Sequence, residues 1–261
     1  MSFKPKKSLG QNFLLDKNII NKIIHAAKIG SSDVVLEVGP GTGNLTEFIV
    51  SQKPKKIYLI EKDENLANDL EKQYLNKINI LKKDILKIPY EFYSGKKFLI
   101  LGNLPYNIST KILSEWCLNK SLNVSKMVLM FQKEVAERIL ADVNSKNYSR
   151  ITILSKWKFD IKKITDVKPN SFFPKPKIHS TVLEFVPKRN FKEIKDPKNL
   201  EKITKVFFSQ RRKMIKKPIN ILFKNFQFNY KKFNVKPSDR PQNIDVNKYL
   251  EIVNEYETLG S

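Results

Sequence analysis

Two short stretches of this sequence carry residue types at a spacing that chemistry could use. The first is Glu37-Val38-Gly39-Pro40-Gly41-Thr42-Gly43-Asn44-Leu45-Thr46. Glycines at this density let a backbone approach a bound molecule closely, and a helix beginning there offers free N–H groups. Such turns serve nicotinamide, flavin and nucleotide folds alike, so the turn alone names no ligand. The spacing is Gly-Pro-Gly-Thr-Gly behind an acid, not Gly-x-Gly-x-x-Gly, and no Lys-Ser/Thr pair follows as in a phosphate-binding loop. Glu61 ends the next apolar run, where a carboxylate can accept two hydrogen bonds from ribose hydroxyls, and Asp84 follows the run after that, where it can meet an adenine amino group. Singly, Glu37, Glu61 and Asp84 each read as solvated loop acids. Three acids at the ends of successive apolar runs around a glycine turn read as a nucleoside-binding set, with a dehydrogenase still compatible.

The second stretch is Gly102-Asn103-Leu104-Pro105-Tyr106-Asn107, directly behind another apolar run. The exocyclic amine of adenine or cytosine is a poor nucleophile, because its lone pair is delocalised into the ring. Groups that accept hydrogen bonds from the amine can hold that lone pair toward an electrophilic methyl. Asn103 Oδ1 and the Leu104 carbonyl suit this task, with Pro105 fixing the turn. Tyr106 can stack on a base taken out of its helix. Alone, the string is also compatible with an ordinary turn carrying a buried tyrosine. At the end of the fourth run of a nucleotide-type pattern it argues against hydride chemistry and for transfer to a base amine.

These residues need a scaffold that brings several strand ends together. From residue 31 the chain alternates β-rich runs with helical segments, as in a parallel α/β sheet. The runs are 34–38, 56–61, 78–81, 98–101 and 127–131. They are nearly continuously apolar, as strands covered on both faces must be. Helices are predicted near 43–52, 63–75, 109–119 and 133–141, and a last β-rich run at 180–186 closes this part before Pro187. Beyond about residue 190, Lys and Asn rise, strand runs stop, and helices are predicted near 197–208 and 246–256. The reading is an α/β domain over 1–187 and a small helical domain over 190–261.

Bulk charge narrows the class of partner. The 261 residues include 49 Lys and Arg against 26 Asp and Glu, a net charge of +23. Such an excess attracts polyanions over a distance and releases counterions on binding, which points to nucleic acid. Only six of the cations are Arg, and an AT-biased genome also favours Lys, Ile and Asn; the field is the same in either case. A polybasic membrane-surface protein fits less well, because the basic residues are dispersed and no long amphipathic lipid-facing helix is evident. No apolar stretch approaches the roughly 20 residues of a bilayer span. The basic start, Met1-Ser2-Phe3-Lys4-Pro5-Lys6-Lys7, has no apolar segment behind it, so no secretory signal is expected, nor an organelle import leader. A lone Cys117, with His25 and His179 the only histidines, leaves a disulfide framework and a metal site without partners. A reducing cytoplasm is the expected setting.

Four segments together resemble, in order and spacing, the ribosomal RNA adenine N6-dimethyltransferases. They are Gln11-Asn12-Phe13-Leu14, Gly39-Pro40-Gly41-Thr42-Gly43, Asn103-Leu104-Pro105-Tyr106 and Phe172-Phe173-Pro174-Lys175-Pro176-Lys177-Ile178-His179-Ser180. The matching region runs from Lys7 to about Lys217. The resemblance implies a Rossmann-like class I methyltransferase domain that uses S-adenosylmethionine, with a small all-helical C-terminal domain that binds RNA or the ribosome. It places Asn12 and Leu14 as a clamp over the cofactor, Gly39 beside its methionine moiety, Glu61 at its ribose and Asp84 at its adenine. Asn103 matches both a cofactor-contacting position and, with Leu104, the amine-binding group. Tyr106 and Phe172 match the aromatic faces that hold the target adenine. The implied reaction is direct in-line methyl transfer, performed twice per base, on two adjacent adenosines near the 3′ end of small-subunit (16S) ribosomal RNA. Its implied substrate is a pre-formed pre-30S or 30S particle during ribosome biogenesis, and no metal takes part. The chain is expected to act as a monomer.

The remaining basic motifs have two readings each. Lys175 and Lys177, between Pro174 and Pro176, fit a stiff solvated loop or, beside Phe172, phosphate contacts, which we favour. From Arg211 to Lys217 five of seven residues are cations. This fits a solvated helix face, but adjacent Arg211 and Arg212 suit bidentate phosphate contacts, and the segment resembles the Phe-x-x-Arg-Arg-Lys region of the small-subunit branch. His25 reads as structural, Cys117 beside Trp116 as core, and His179 receives no role. Two rivals stand beside this reading. One is the macrolide-resistance branch acting on large-subunit RNA, which shares the catalytic motifs. The other is a non-enzymatic RNA-binding factor, against which the intact clamp and the 103–106 string argue.

Overall fold

A computed structural model describes residues 5–6, 10–224 and 226–259. Lys7, where the resemblance begins, and the basic start up to Lys4 lie outside the described residues. The chain divides into two compact units. The first comprises the chain up to Ile112 together with Lys120–Ala136 and Asp160–Pro187; the second comprises Leu113–Asn119, Glu137–Phe159 and the chain from Lys188 onward. The last passage between units falls at residue 187, where composition changes. Two upstream segments, 113–119 and 137–159, nonetheless belong to the second unit rather than to the first.

The first unit is built on a seven-stranded sheet. Its strands, β2 (Val34–Val38), β3 (Lys56–Glu61), β4 (Asn79–Lys82), β5 (Lys97–Asn103), β6 (Asn123–Gln132), β7 (Phe159–Val167) and β9 (Ser180–Pro187), run in the order β4-β3-β2-β5-β6-β9-β7. The first five pair in parallel. They coincide with the apolar runs, since the central strands are covered on both faces and must be apolar throughout, while β4 at the edge has no fully buried residue. The sheet is mixed rather than parallel, because β9 joins β6 antiparallel with Leu183 opposite Leu129. Strand β7 has no counterpart among the apolar runs: only its terminal Phe159 and Val167 are buried, as suits an edge position. Helices α1 (Lys17–Ala27), α2 (Asn44–Ser51) and α3 (Glu64–Tyr74) belong to this unit, and α4 (Ser109–Leu118) and α5 (Lys133–Leu140) each begin in it. Ile19, Ile20 and Ile23 of α1, Leu45 and Ile49 of α2 and Leu70 of α3 enter one apolar core with Val35, Leu59, Leu99 and Leu101 of the sheet. A second, two-stranded sheet pairs β1 (Phe13–Leu14) antiparallel with β8 (Phe172–Phe173).

The second unit is helical, and no strand follows Pro187 among the described residues. Its core joins α6 (Arg150–Lys158), α7 (Pro197–Ser209) and α9 (Val246–Thr258), with Phe207 edge-on to Tyr249 at 5.3 Å between ring centroids. Helix α6 shows no amphipathic period because Ile151, Thr152, Ile153, Leu154, Ser155 and Trp157 are all buried. The basic string is not one helix face. Helix α7 ends at Ser209, residues 210–215 form turns, and α8 begins at Lys216 (Lys216–Leu222). The half-buried Arg211 guanidinium is engaged by the chain itself, donating from Nη2 to the carbonyls of Ser145 (3.3 Å) and Lys146 (2.5 Å). Arg212 and Lys213 are exposed.

Candidate active site

From β2 the chain builds outward through β3 and β4, then returns to lay β5 along the other side of β2. The loops leaving β2 and β5 diverge at that reversal, and open α/β sheets bind their ligands at such a switch point. A cleft of about 1160 Å³, counting space open to solvent, lies there within the first unit. Its walls are the glycine turn after β2, Glu61 at the end of β3, Asp84 after β4, residues 103–108 after β5, and the N-terminal stretch 10–14. Asn12, Leu14, Gly39, Glu61, Asp84, Asn103, Leu104 and Tyr106 thus meet in one place.

The glycine turn requires its glycines. Gly39 and Gly41 hold φ of +69° and +59°, the left-handed region that side chains disfavour. A Cβ on Gly41 would stand 2.7 Å from Phe13 Cδ1, so this residue also seats the N-terminal stretch.

None of the three acids is a freely solvated loop residue. Glu37 is 1% exposed and accepts from Thr46 Oγ1 at 2.7 Å. Burial pushes its carboxyl up to about 8 against the lowering effect of the Thr46 bond, and nearby Glu61 adds to the rise. Glu61 accepts the Gly41 N–H at Oε2 (3.1 Å) and the Asp63 N–H at Oε1 (2.8 Å). Burial holds its carboxyl above the ordinary value despite these bonds. A carboxylate oxygen has two lone pairs, so each can accept once more. Asp84 caps the turn at Ile85–Lys87 through the Leu86 N–H (3.0 Å) and pairs with Lys62 Nζ at 2.9 Å. Burial alone would raise its carboxyl, but the Lys62 and Leu86 bonds outweigh it and hold the group below the usual range.

The acceptor side is organised around Asn103. Its Nδ2 donates to the Asn12 carbonyl at 2.8 Å, while Oδ1 is buried without a hydrogen-bond partner. A carbonyl can only accept, so this contact tells the two ends of the amide apart. The Tyr106 hydroxyl is tied to Ser180 Oγ at 2.6 Å, which anchors the far edge of its ring. Burial raises that hydroxyl despite the bond from Ser180.

Phe172 does not join them. It is 4% exposed, sits cross-strand from Leu14 in the apolar core, and is absent from the cleft wall. Adjacent residues of a strand face opposite sides, and it is Phe173, 55% exposed, that faces outward. The structure packs Phe172 against Leu14 and does not bring its ring to the cleft wall.

Several site residues escaped the sequence reading. Asn44 Nδ2 holds the Leu14 carbonyl at 2.9 Å, and Asp63 receives Lys6 Nζ at 2.8 Å and Gln11 Nε2 at 3.1 Å. The only local signal for Asp63 is its place before a helix, where it reads as an N-cap. Lys175 and Lys177 are exposed, as is His25 on α1. Cys117 is fully buried, which pushes its thiol up to about 12. Among the described residues, no group of three His, Cys, Asp or Glu could hold a metal ion, and no helix is long and apolar enough to cross a membrane.

Comparison with known proteins places this architecture. The family model described as "Ribosomal RNA adenine dimethylase" matches residues 2–258. "Ribosomal RNA small subunit methyltransferase A" of Pelagibacter ubique (strain HTCC1062) is 52% identical over 99% of this chain and 99% of its own. The protein of the same name from Wolbachia sp. subsp. Drosophila simulans (strain wRi) is 37% identical over 98% and 95%. Among solved structures, a dimethyladenosine transferase from Plasmodium falciparum superposes with a TM-score of 0.78 at 29% identity, covering 95% of this chain and 98% of that one. The 23S rRNA methyltransferase ErmE shares the fold, with a TM-score of 0.68 at 21% identity over 94% and 99%. With a matching model spanning nearly every residue and relatives alike from end to end, this chain belongs to the ribosomal RNA adenine dimethylase family and is a methyltransferase.

Proposed function

We propose that this enzyme transfers methyl groups from S-adenosylmethionine to N6 of two adjacent adenosines near the 3′ end of small-subunit ribosomal RNA. The observation that carries the reading is the buried, unpartnered Oδ1 of Asn103, a residue of the cleft wall. Leaving such an oxygen unsatisfied costs about 1–3 kcal/mol, a cost that an incoming N–H donor removes. An exocyclic amine is that donor. By accepting one of its hydrogens, Asn103 turns the nitrogen lone pair out of conjugation with the ring. The Leu104 carbonyl is suited to accept the other, and the anchored Tyr106 ring offers a stacking face.

The opposite side of the cleft fits the methyl donor. The positive φ of Gly39 and Gly41 brings bare backbone to the cleft wall, and the remaining lone pairs of Glu61 suit ribose hydroxyls. Asp84, held charged by Lys62, suits an adenine amine. Asn12 and Leu14 cover the site from the N-terminal stretch. When bound, the donor supplies a methyl carbon made electrophilic by its sulfonium. The protein's share is to orient both partners and to exclude water. Exposed Arg212 and Lys213 of the second unit supply phosphate contacts to the RNA. In this reading the chain works as a monomer in the cytoplasm, on a pre-formed ribosomal particle.

The test is transfer of tritiated methyl groups to undermethylated small subunits, followed by nucleoside analysis. Label is expected in dimethyladenosine. Asn103→Ala should slow transfer by about tenfold or more and leave RNA affinity unchanged, because the lost contact belongs to the reacting amine. Label confined to large-subunit RNA, or absent altogether, overturns the proposal.

A further inference from the structure

The N-terminal stretch 10–14 forms one wall of the cleft, yet its hold on the molecule is uneven. Near its end it is secured several ways. Phe13 packs on Gly41, Asn44 Nδ2 holds the Leu14 carbonyl, β1 pairs with β8, and the Leu15 N–H donates to the Ser171 carbonyl at 2.8 Å. Ahead of Phe13, the hydrogen bonds and ion pairs to the rest of the unit, among the described residues, go to two side chains only. Asn103 Nδ2 takes the Asn12 carbonyl, and Asp63 Oδ2 takes Gln11 Nε2 and Lys6 Nζ.

Asp63 is placed to join two parts of the site. Its side chain is fully buried, and its Oδ1 caps α3 through the Asn65 N–H at 3.2 Å, which leaves Oδ2 for the N-terminal stretch. Its own N–H donates to Glu61 Oε1 at 2.8 Å. One residue thus braces both the acid at the end of β3 and the strap across the cleft.

The Asn12 carbonyl has a consequence for Asn103. The two ends of a primary amide are nearly equal in size, and rotation about χ2 exchanges them easily. With Nδ2 toward the cleft, Asn103 would present N–H to the N–H of an amine and repel it. With the Asn12 carbonyl in place, Nδ2 has an acceptor and Oδ1 stays available. The strap therefore determines which end of the amide a base amine meets.

We propose that Asp63 is a positioning residue for this site: it seats the strap through Gln11 and Lys6, and the seated strap, through the Asn12 carbonyl, keeps Asn103 Oδ1 presented as the acceptor. The catalytic part rests on the function proposed above, whereas the latch itself is testable on the protein alone.

Asp63→Asn retains an oxygen for the α3 cap and removes the charge, while Gln11→Ala and Lys6→Ala lie off the helix and test the latch without touching α3. In the ligand-free protein, hydrogen exchange at the Phe13, Leu14 and Leu15 amides should quicken by about tenfold in each variant, with the thermal unfolding midpoint of Gln11→Ala lowered by no more than a few degrees. Single-turnover methyl transfer should fall by about fivefold or more, while affinity for the RNA stays within about twofold. Because Gln11 and Asp63 act through one contact, the double variant should be no worse than the worse single one. Unchanged exchange, or effects that multiply in the double variant, would overturn the latch. Quickened exchange with an undiminished rate would overturn its link to Asn103. Wild-type protein that binds no S-adenosylmethionine in a calorimeter would defeat the proposed function instead, and the exchange result would stand apart from it.

Discussion

At the scale of single residues, the acids around the cleft owe their properties to what surrounds them rather than to their type. Glu37, Glu61 and Asp84 all line the cleft, but Glu37 is the most deeply buried and bonds to Thr46, whereas Glu61 and Asp84 have their charges managed by N–H groups and Lys62. For Glu37 a pH dependence follows. A carboxyl raised from 4.5 to about 8 on folding takes up a proton between those values. Its contribution to stability is therefore fully present below about 4.5 and declines as pH rises toward about 8. Glu37→Gln, neutral and able to keep the Thr46 contact, should remove that decline. Urea unfolding near pH 5 and near pH 8 should show wild type losing on the order of a few kcal/mol more than the variant between the two. Equal pH slopes would show that Glu37 is not held neutral by burial.

At the scale of elements, the site depends on a strand, a turn and a helix meeting a separate strap. The strands and most helices are legible because each is a local pattern: continuous apolar runs for β2 to β6, and a 3.6-residue period for α3, α7 and α9. Helix α6 and strand β7 are not, since one is apolar on nearly every side and the other polar along an edge, so neither shows its period. The glycine turn is the tightest junction. Gly41→Ala meets the left-handed backbone penalty of roughly 1–2 kcal/mol and in addition drives a methyl into the Phe13 ring. Gly95, with φ of +70° and open space around its Cβ position, isolates the backbone part. Gly41→Ala should lose more stability in denaturant than Gly95→Ala, and it alone should weaken S-adenosylmethionine binding, by about tenfold or more, measured by calorimetry. Similar affinities in the two variants would mean that the seat of Phe13 on the turn does not matter.

At the scale of the whole molecule, the arginines and the site lie in different units. All six arginines of the chain lie in the second unit, whereas the cleft lies wholly in the first. The adjacent arginines nevertheless divide. Arg211 is engaged by two backbone carbonyls, and Arg212 and Lys213 face solvent. Replacing Arg212 and Lys213 together by Ala should weaken RNA binding and flatten its salt dependence by up to about two phosphate contacts, without changing stability. Arg211→Ala should instead cost about 0.5–1.5 kcal/mol of stability through the lost bonds to the Ser145 and Lys146 carbonyls, read in urea unfolding. If Arg211→Ala flattened the salt slope as strongly as the exposed pair does, the assignment of Arg211 to those carbonyls would be wrong.

What this protein's sequence determined by itself is whatever acts over a few consecutive residues. The glycine turn behind Glu37, the Asn103-Leu104-Pro105-Tyr106 string and the succession of apolar runs all belong here, because turn chemistry and side-chain period are local. Tertiary structure alone decided which of two neighbouring phenylalanines faces the core, which of two neighbouring arginines bonds to backbone carbonyls, and that Asp63 meets Gln11. Those outcomes depend on partners 155, 66 and 52 residues away along the chain, the Ser171–Asp16 bond beside Phe172 being the first. Contacts at such separations exist only after the sheet and the helices have packed, when burial leaves each polar group one place to bond.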